Sequence, residues 1–237
     1  MVTKASCIVA TLLIFFYIYQ YNKQPSKDIE NQATNLTLNQ PHKVQTTSSN
    51  AESKSEFKDV TWNGSPKSYQ ISDRKPIWNI IHCTDDEETP GKALDCSNYD
   101  KIRSDGASAH FYYDPDNTIQ EVMTGNIAFC SLKTGNNYGI QHELCGKASQ
   151  TKSQWLDVDS KKIIERAAKI CAEISLKYDI PIRWLNSQQI KNFEKGLVTH
   201  YDITINFEGT HTDPGANFPK DYFLERVKYY KEELLEK

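Results

Sequence analysis

Hydrophobic and polar positions change their period several times along this chain, and each change predicts a different kind of segment. The run ASCIVATLLIFFYIYQY, Ala5 to Tyr21, carries no charge. It sits at the short end of the roughly 17–25 residues a spanning helix needs, and Tyr17, Tyr19, Tyr21 and Lys23 suit an interfacial belt. Residues 1–21 are therefore expected to form an N-terminal membrane helix. The following YQYNKQPSK lacks the small-x-small pattern of a signal-peptidase site, which favours an uncleaved single-pass anchor; cleavage would instead leave a secreted protein. From 22 to 56 the chain turns to Asn, Gln, Ser, Thr and Lys with no aromatic residue, too little apolar surface to offset the entropy of ordering. That segment reads as a flexible polar linker with a reach of about 30–35 Å.

Regular patterning begins near Phe57 and continues to residue 237. Ile77 to Cys83 is a β-branched apolar run after Pro76, as expected of an interior strand. His110–Tyr113 and Thr118–Met123 flank the turn sequence Asp114-Pro-Asp-Asn117 and predict a hairpin. Tyr138 to Leu144 is a further strand, along which alternation puts Gln141 and Glu143 on one face and His142 on the other. Between Ser160 and Tyr178 the residues Ile163, Ile164, Ala167, Cys171, Ile174 and Tyr178 follow helical spacing, with Asp159 or Ser160 as N-cap. A last helix from about Pro219 to Lys237 presents Tyr222, Phe223, Val227 and Tyr230 toward the sheet. Strands and helices interleaved in this way predict an α/β domain over 57–237.

Composition narrows the partners. Lys and Arg total 28 against 31 Asp and Glu, a formal charge of -3, so no basic excess marks the chain for nucleic acid and none is expected as a partner. Six cysteines without any CxxC pair support neither a disulfide-built scaffold nor a zinc finger. Outside the membrane segment five remain, an odd number; a Cys83–Cys96 or a Cys130–Cys145 pair is open in an oxidising compartment.

Candidate chemistry collects at four places. His82 closes the strand Ile77–Cys83, where a histidine is commonly a hydrogen-bonded core residue. Thr199-His200-Tyr201-Asp202 and His211-Thr-Asp213-Pro-Gly215 follow, the latter also readable as a plain turn. The distances along the chain are not those of a compact zinc motif, but catalytic zinc sites collect three ligands from separate loops and leave the fourth position to water. Cys83 neighbours His82 on a strand, so both side chains cannot reach one metal. Glu143, in Tyr138-Gly-Ile-Gln-His-Glu-Leu-Cys-Gly146, supplies a carboxylate of the kind that takes a proton from a metal-activated water.

Taken in order, Ile80-Ile-His-Cys-Thr84, Ser108-Ala-His-Phe111, Tyr138–Gly146, Thr199-His-Tyr-Asp-Ile203 and His211-Thr-Asp-Pro-Gly-Ala-Asn-Phe-Pro219 resemble the zinc-dependent N-acetylmuramoyl-L-alanine amidases. This family includes phage endolysins, bacterial cell-wall amidases and animal peptidoglycan recognition proteins. The resemblance covers about residues 75 to 230. It implies a central mixed β-sheet flanked by helices, with Zn2+ held by His82, His200 and Asp213. It further implies Glu143 as the catalytic glutamate, with His211 assisting, and Thr84, His110, Asn137 and Phe218 along the substrate groove. The implied reaction is hydrolysis of the amide between N-acetylmuramic acid and L-alanine in bacterial peptidoglycan. A non-catalytic peptidoglycan-binding receptor or decoy is the alternative, although such members typically lose a zinc ligand and this chain keeps all three. Where many relatives carry Trp-His, this chain has Phe129-Cys130. Gln141 and His142 stand where relatives often have small or apolar residues. A substrate outside the cytoplasmic membrane implies a domain on the extracytoplasmic side.

Overall fold

A computed structural model describes residues 54–70, 73–207 and 209–236. The expected membrane helix at 1–21 and almost all of the expected linker lie outside the described residues. Among the described residues no helix is long and apolar enough to cross a membrane.

Among the described residues the elements, in chain order, are strands β1 (Thr61–Trp62), β2 (Tyr69–Gln70) and β3 (Trp78–Cys83), helix α1 (Lys92–Ile102), and strands β4 (Phe111–Tyr113), β5 (Thr118–Gln120) and β6 (Asn126–Ile127). Helix α2 (Leu132–Tyr138), strand β7 (Gly139–Leu144), helices α3 (Lys152–Trp155), α4 (Val158–Tyr178) and α5 (Ser187–Lys191), strand β8 (Gly196–Thr199), and helices α6 (His200–Asn206) and α7 (Lys220–Leu235) complete them. The main sheet runs β1-β5-β4-β7-β3-β8, with β2 and β6 paired separately. Only the β4–β5 pair in the main sheet is antiparallel, as its tight turn requires; the β1–β5, β4–β7, β7–β3 and β3–β8 pairs are parallel. The protein is thus an α/β fold with a mixed central sheet flanked by helices. Every residue of β3 is buried, which explains why WNIIHC reads as a continuous apolar run rather than an alternating one.

The turn at 114–117 forms because Asp114 Oδ1 accepts from the backbone N–H of Asp116 (2.8 Å) and Asn117 (2.7 Å). Helix α4 starts earlier than expected. Its N-cap is Asp157, whose carboxylate accepts from the N–H of Asp159 and Ser160. Ser160 is buried and its hydroxyl bonds Glu88, so the first residue able to cap is the more exposed aspartate. The apolar stripe of α4 covers β3, β4 and β7. Helix α7 rests chiefly on α4 rather than on the sheet. Phe223 and Val227 enter the core, while Tyr222 and Tyr230 aim their hydroxyls outward, each donating at 2.8 Å to Glu165 of α4. Near the start of the described residues, Ser55 and Glu56 bond Gln120, Thr124 and Lys177.

On the α4 side of β7, His142 stands between the Tyr113 hydroxyl (2.7 Å) and Asn79 Oδ1 (3.0 Å). All three are buried, and burial lowers the imidazole to about 3, so it is a neutral donor–acceptor bridge inside the core. The five described cysteines are free thiols, so neither pairing left open by the sequence is bridged. The Cys145 thiol instead bonds Cys96, and that contact with burial holds its proton far above the ordinary range.

Glu121 carries a pH dependence. It is fully buried, its Oε2 accepts from the Ala109 N–H at 3.2 Å, and its Oε1 has no partner. Burial pushes its carboxyl from 4.5 up to about 7. The folded state prefers the neutral acid, so this contribution to stability is fully present below the unfolded value and is lost as pH rises through about 7. The change amounts to roughly 3 kcal/mol. Urea unfolding of wild type and Glu121→Gln between about pH 5 and pH 8 checks it: the variant is expected to gain stability relative to wild type as pH rises. A difference independent of pH would refute the assignment.

Candidate metal centre

The parallel strands β3, β7 and β8 end at one edge of the sheet, where an open α/β sheet places its binding crevice. In the β3–β7 register His82 lies opposite Glu143, so the two side chains share a face. His200 is the first residue of α6, directly after β8. Its place is set by a capping box: the Thr199 hydroxyl accepts from the Asp202 N–H while the Thr199 N–H donates to the Asp202 carboxylate at 2.8 Å. Asp213 arrives from the loop beyond, pinned by its carbonyl accepting from the Tyr201 N–H at 3.0 Å. That loop turns at Gly215, whose φ is +94° and where an added Cβ would stand 2.0 Å from the Ala148 carbonyl oxygen. Only glycine permits both the backbone angle and the approach.

Side chains far apart in sequence thereby converge. His82 Nδ1 lies 3.1 Å from His200 Nδ1 and 3.1 Å from Asp213 Oδ2, and His200 Nδ1 lies 3.0 Å from Asp213 Oδ1. A tetrahedral ion with ligand bonds of 2.0–2.1 Å requires donor atoms about 3.3 Å apart. Two imidazole nitrogens and a carboxylate at 3.0–3.1 Å therefore fit zinc in both donor chemistry and spacing. Glu143 Oε1 is 3.8 Å from His82 Nδ1, and its Oε2 is buried without a partner. His211 is half-exposed; its ring stacks on His200 at 4.1 Å, with Nδ1 3.7 Å from Asp213 Oδ1.

Electrostatics at this edge follow burial and contact. Burial pushes the Glu143 carboxyl up to about 7, against the pull of His82. Burial and the neighbouring His82 lower His200 to about 4. Burial would lower His82, but Cys130, Glu143 and Asp213 outweigh it and hold the ring well above its ordinary value. Burial would likewise raise Asp213, yet its bonds to His200 and His82 keep it well below the carboxylate range. The centre thus holds an ionised aspartate, a neutral His200 ready to ligate, and a carboxyl poised near neutrality.

The edge opens into a cavity of about 990 Å³ lined by His82, Thr84, Glu143, His200, His211 and Asp213, among others. Of the expected substrate residues, Thr84 lies on its wall, and the structure places the other three elsewhere. His110 is fully buried, with Nδ1 accepting from the Gln141 N–H at 3.0 Å and Nε2 3.1 Å from the Asn126 carbonyl. Phe218 is a core residue, edge-on to Trp155 at 5.2 Å, because a phenyl ring gains more from burial than from a wet groove. Asn137 is exposed on α2; one helical position earlier, Asn136 faces the cavity and accepts from the N–H of Cys130 and Ser131. Cys83 does border the cavity but stands outside both possible metal-holding groups. Sequence reading missed Cys130, whose Sγ lies 3.9 Å from His82 Nε2 and which forms a second possible metal-holding group with His82 and Glu143. Burial pushes this thiol up to about 11. The departure at Phe129-Cys130 was the available signal, but nothing local tells which strand that loop faces.

The family model for N-acetylmuramoyl-L-alanine amidases matches residues 72–216. Among solved structures, the Staphylococcus aureus hydrolase AmiA, in complex with its ligand, is similar with a TM-score of 0.59 at 16% identity, over 75% of this chain and 85% of that chain. PlyL is similar with a TM-score of 0.51 at 18% identity, over 71% of this chain and 96% of that one. At these identities the likeness is one of fold. No curated protein matches the chain by sequence.

Proposed function

We propose that this chain, which belongs to the N-acetylmuramoyl-L-alanine amidase family, hydrolyses the amide joining N-acetylmuramic acid to L-alanine in bacterial peptidoglycan, with zinc held by His82, His200 and Asp213. The observation that carries this reading is the meeting, at one strand edge, of three donor atoms 3.1–3.2 Å apart with a buried, unpartnered carboxyl oxygen of Glu143. Zinc, when bound there, supplies Lewis acidity toward the amide carbonyl and lowers the pKa of water to about 7.

The remaining work falls to the side chains. Glu143, with its carboxyl near 7, accepts a proton from the attacking water and passes it to the leaving amine, a shuttle that operates best when the group's pKa is close to the working pH. His211 at the rim donates toward the carbonyl oxygen as negative charge develops on it. Water's oxygen joins the lactyl carbonyl carbon, the C–N bond breaks, and the products are a lactyl carboxylate and a stem peptide with a free L-alanine amine. Thr84 on the cavity wall contributes to holding the substrate. Because that substrate lies outside the cytoplasmic membrane, we place the domain on the extracytoplasmic side, with Ala5–Tyr21 as its anchor and the polar segment to residue 56 as its tether.

The test uses the full-length protein loaded with zinc, purified peptidoglycan, and mass spectrometry for stem peptides headed by L-alanine. Release is expected, with loss on chelation and recovery on adding zinc. A zinc-loaded protein that captures muropeptides but frees no peptide would replace hydrolysis with a receptor role.

A further inference from the structure

The amide of Gln141 has a determined orientation. Its Nε2 donates to the Gly135 carbonyl at 3.0 Å, and its Oε1 accepts from the Ser131 hydroxyl at 2.6 Å and lies 2.9 Å from His82 Nε2. Turning the amide over would set its oxygen against the Gly135 carbonyl, two acceptors facing each other in a buried space. The close approach of Gly135 is itself built in, since an added Cβ there would stand 2.3 Å from Ser131 Cβ. Gln141 and Ser131 are fully buried and His82 is 1% exposed, so water does not compete for these bonds.

An amide oxygen only accepts, which obliges His82 Nε2 to carry a proton. Ser131 Oγ, 3.2 Å from the same nitrogen, has already spent its hydrogen on Gln141 and likewise presents a lone pair. Both oxygens beside Nε2 are therefore acceptors, with Cys130 Sγ farther off at 3.9 Å, and in the neutral ring that a bound cation requires the free lone pair sits on Nδ1. That is the atom 3.1 Å from both His200 Nδ1 and Asp213 Oδ2.

We propose that Gln141, held by Gly135 and Ser131, is a positioning residue that sets the tautomer and rotation of His82 so that Nδ1 is presented to the metal. The inference rests on the zinc reading above. A partner of this kind on the far nitrogen orients a metal-bound imidazole and raises its basicity.

The experiment uses the full-length protein and zinc itself as the probe, with two readouts besides activity. In the zinc-loaded wild type, imidazole 15N spectra are expected to show His82 protonated on Nε2; a proton on Nδ1 overturns the proposal. By competition with a chelator, Gln141→Leu is expected to bind zinc about 10–100-fold more weakly, whereas Gln141→Glu, held by burial as the neutral acid with its hydroxyl donating to Gly135 and its other oxygen accepting, should stay within roughly threefold of wild type. Ser131→Ala should weaken binding in the same direction by less. Should Gln141→Leu fail to fold, the wild-type spectrum and Ser131→Ala decide. A wild type that takes up no zinc overturns the metal reading and this proposal with it. Normal uptake by wild type with unchanged affinity in Gln141→Leu overturns the proposal alone.

Discussion

Replacing Glu143 by glutamine is expected to slow release of L-alanine-headed peptide by about 10²–10⁴-fold, the usual weight of a positioned general base, while zinc content stays that of wild type. The substitution removes a proton acceptor without changing shape. Glu143 stands 3.8 Å from His82 Nδ1, beside the ligand set rather than within it, so the metal should remain. The side chain bonds nothing through Oε2, and an acceptor left unused by the protein is one available to water or substrate. Burial, helped by the nearby Asp213 and Asp100 and opposed by His82, pushes its carboxyl up to about 7, and a bound cation would pull it lower. The wild-type rate should accordingly fall as pH drops through about 7 or below, as the base takes up its proton. That acid limb should be missing from the residual activity of Glu143→Gln. Equal rates in the two proteins, or loss of zinc from the variant, would remove Glu143 from this role.

Asp213→Ala should have an effect of similar size through a different cause. Asp213 is the only anionic member of the set and touches both histidines at 3.0–3.1 Å. Its loss leaves two imidazoles, one of which is held well above its ordinary pKa partly by the bond to this carboxylate. Zinc affinity is expected to fall by more than the roughly 10–100-fold that losing an outer partner costs, and activity to fall to background. Melting provides a reading independent of turnover. At free zinc about a thousandfold above Kd, binding stabilises by about 4 kcal/mol, or roughly 8–16 °C for a domain of this size. That zinc-induced rise should appear in wild type and vanish in Asp213→Ala. Taking the difference with and without zinc for each protein cancels the instability the variant carries from its unpaired histidines. A variant that still gains the full rise would show the ion to be held elsewhere, and His82, Cys130 and Glu143 are the group to examine next.

Much of the fold was legible because its causes are local. A buried β3 reads as an apolar run, α4 as a stripe at helical spacing, and the 114–117 turn as Asp-Pro-Asp-Asn. Alternation along β7 separated Glu143 from His142 before any contact was known, and the structure shows the two on opposite faces, one beside His82 and the other bonded to Tyr113 and Asn79. Helix α4 is capped by Asp157 rather than by Asp159 or Ser160; the three are equally good caps by type, and of them only Ser160 is withdrawn from the role by burial. His110, Asn137 and Phe218 were placed by resemblance, which orders motifs along a chain without saying which way each side chain turns.

By itself, then, the sequence determined the kinds of element, their order and the residue types able to ligate and to move protons, since periodicity, turn chemistry and donor identity are properties of neighbouring residues. Only the tertiary structure decided what those residues do together. His82 and His200 are 118 positions apart, and no local pattern brings them to 3.1 Å; the order β7-β3-β8 does, by ending three parallel strands at one edge. The proton on His82 is likewise a non-local matter, because its partner Gln141 is 59 residues away and reaches it only through the β3–β7 register.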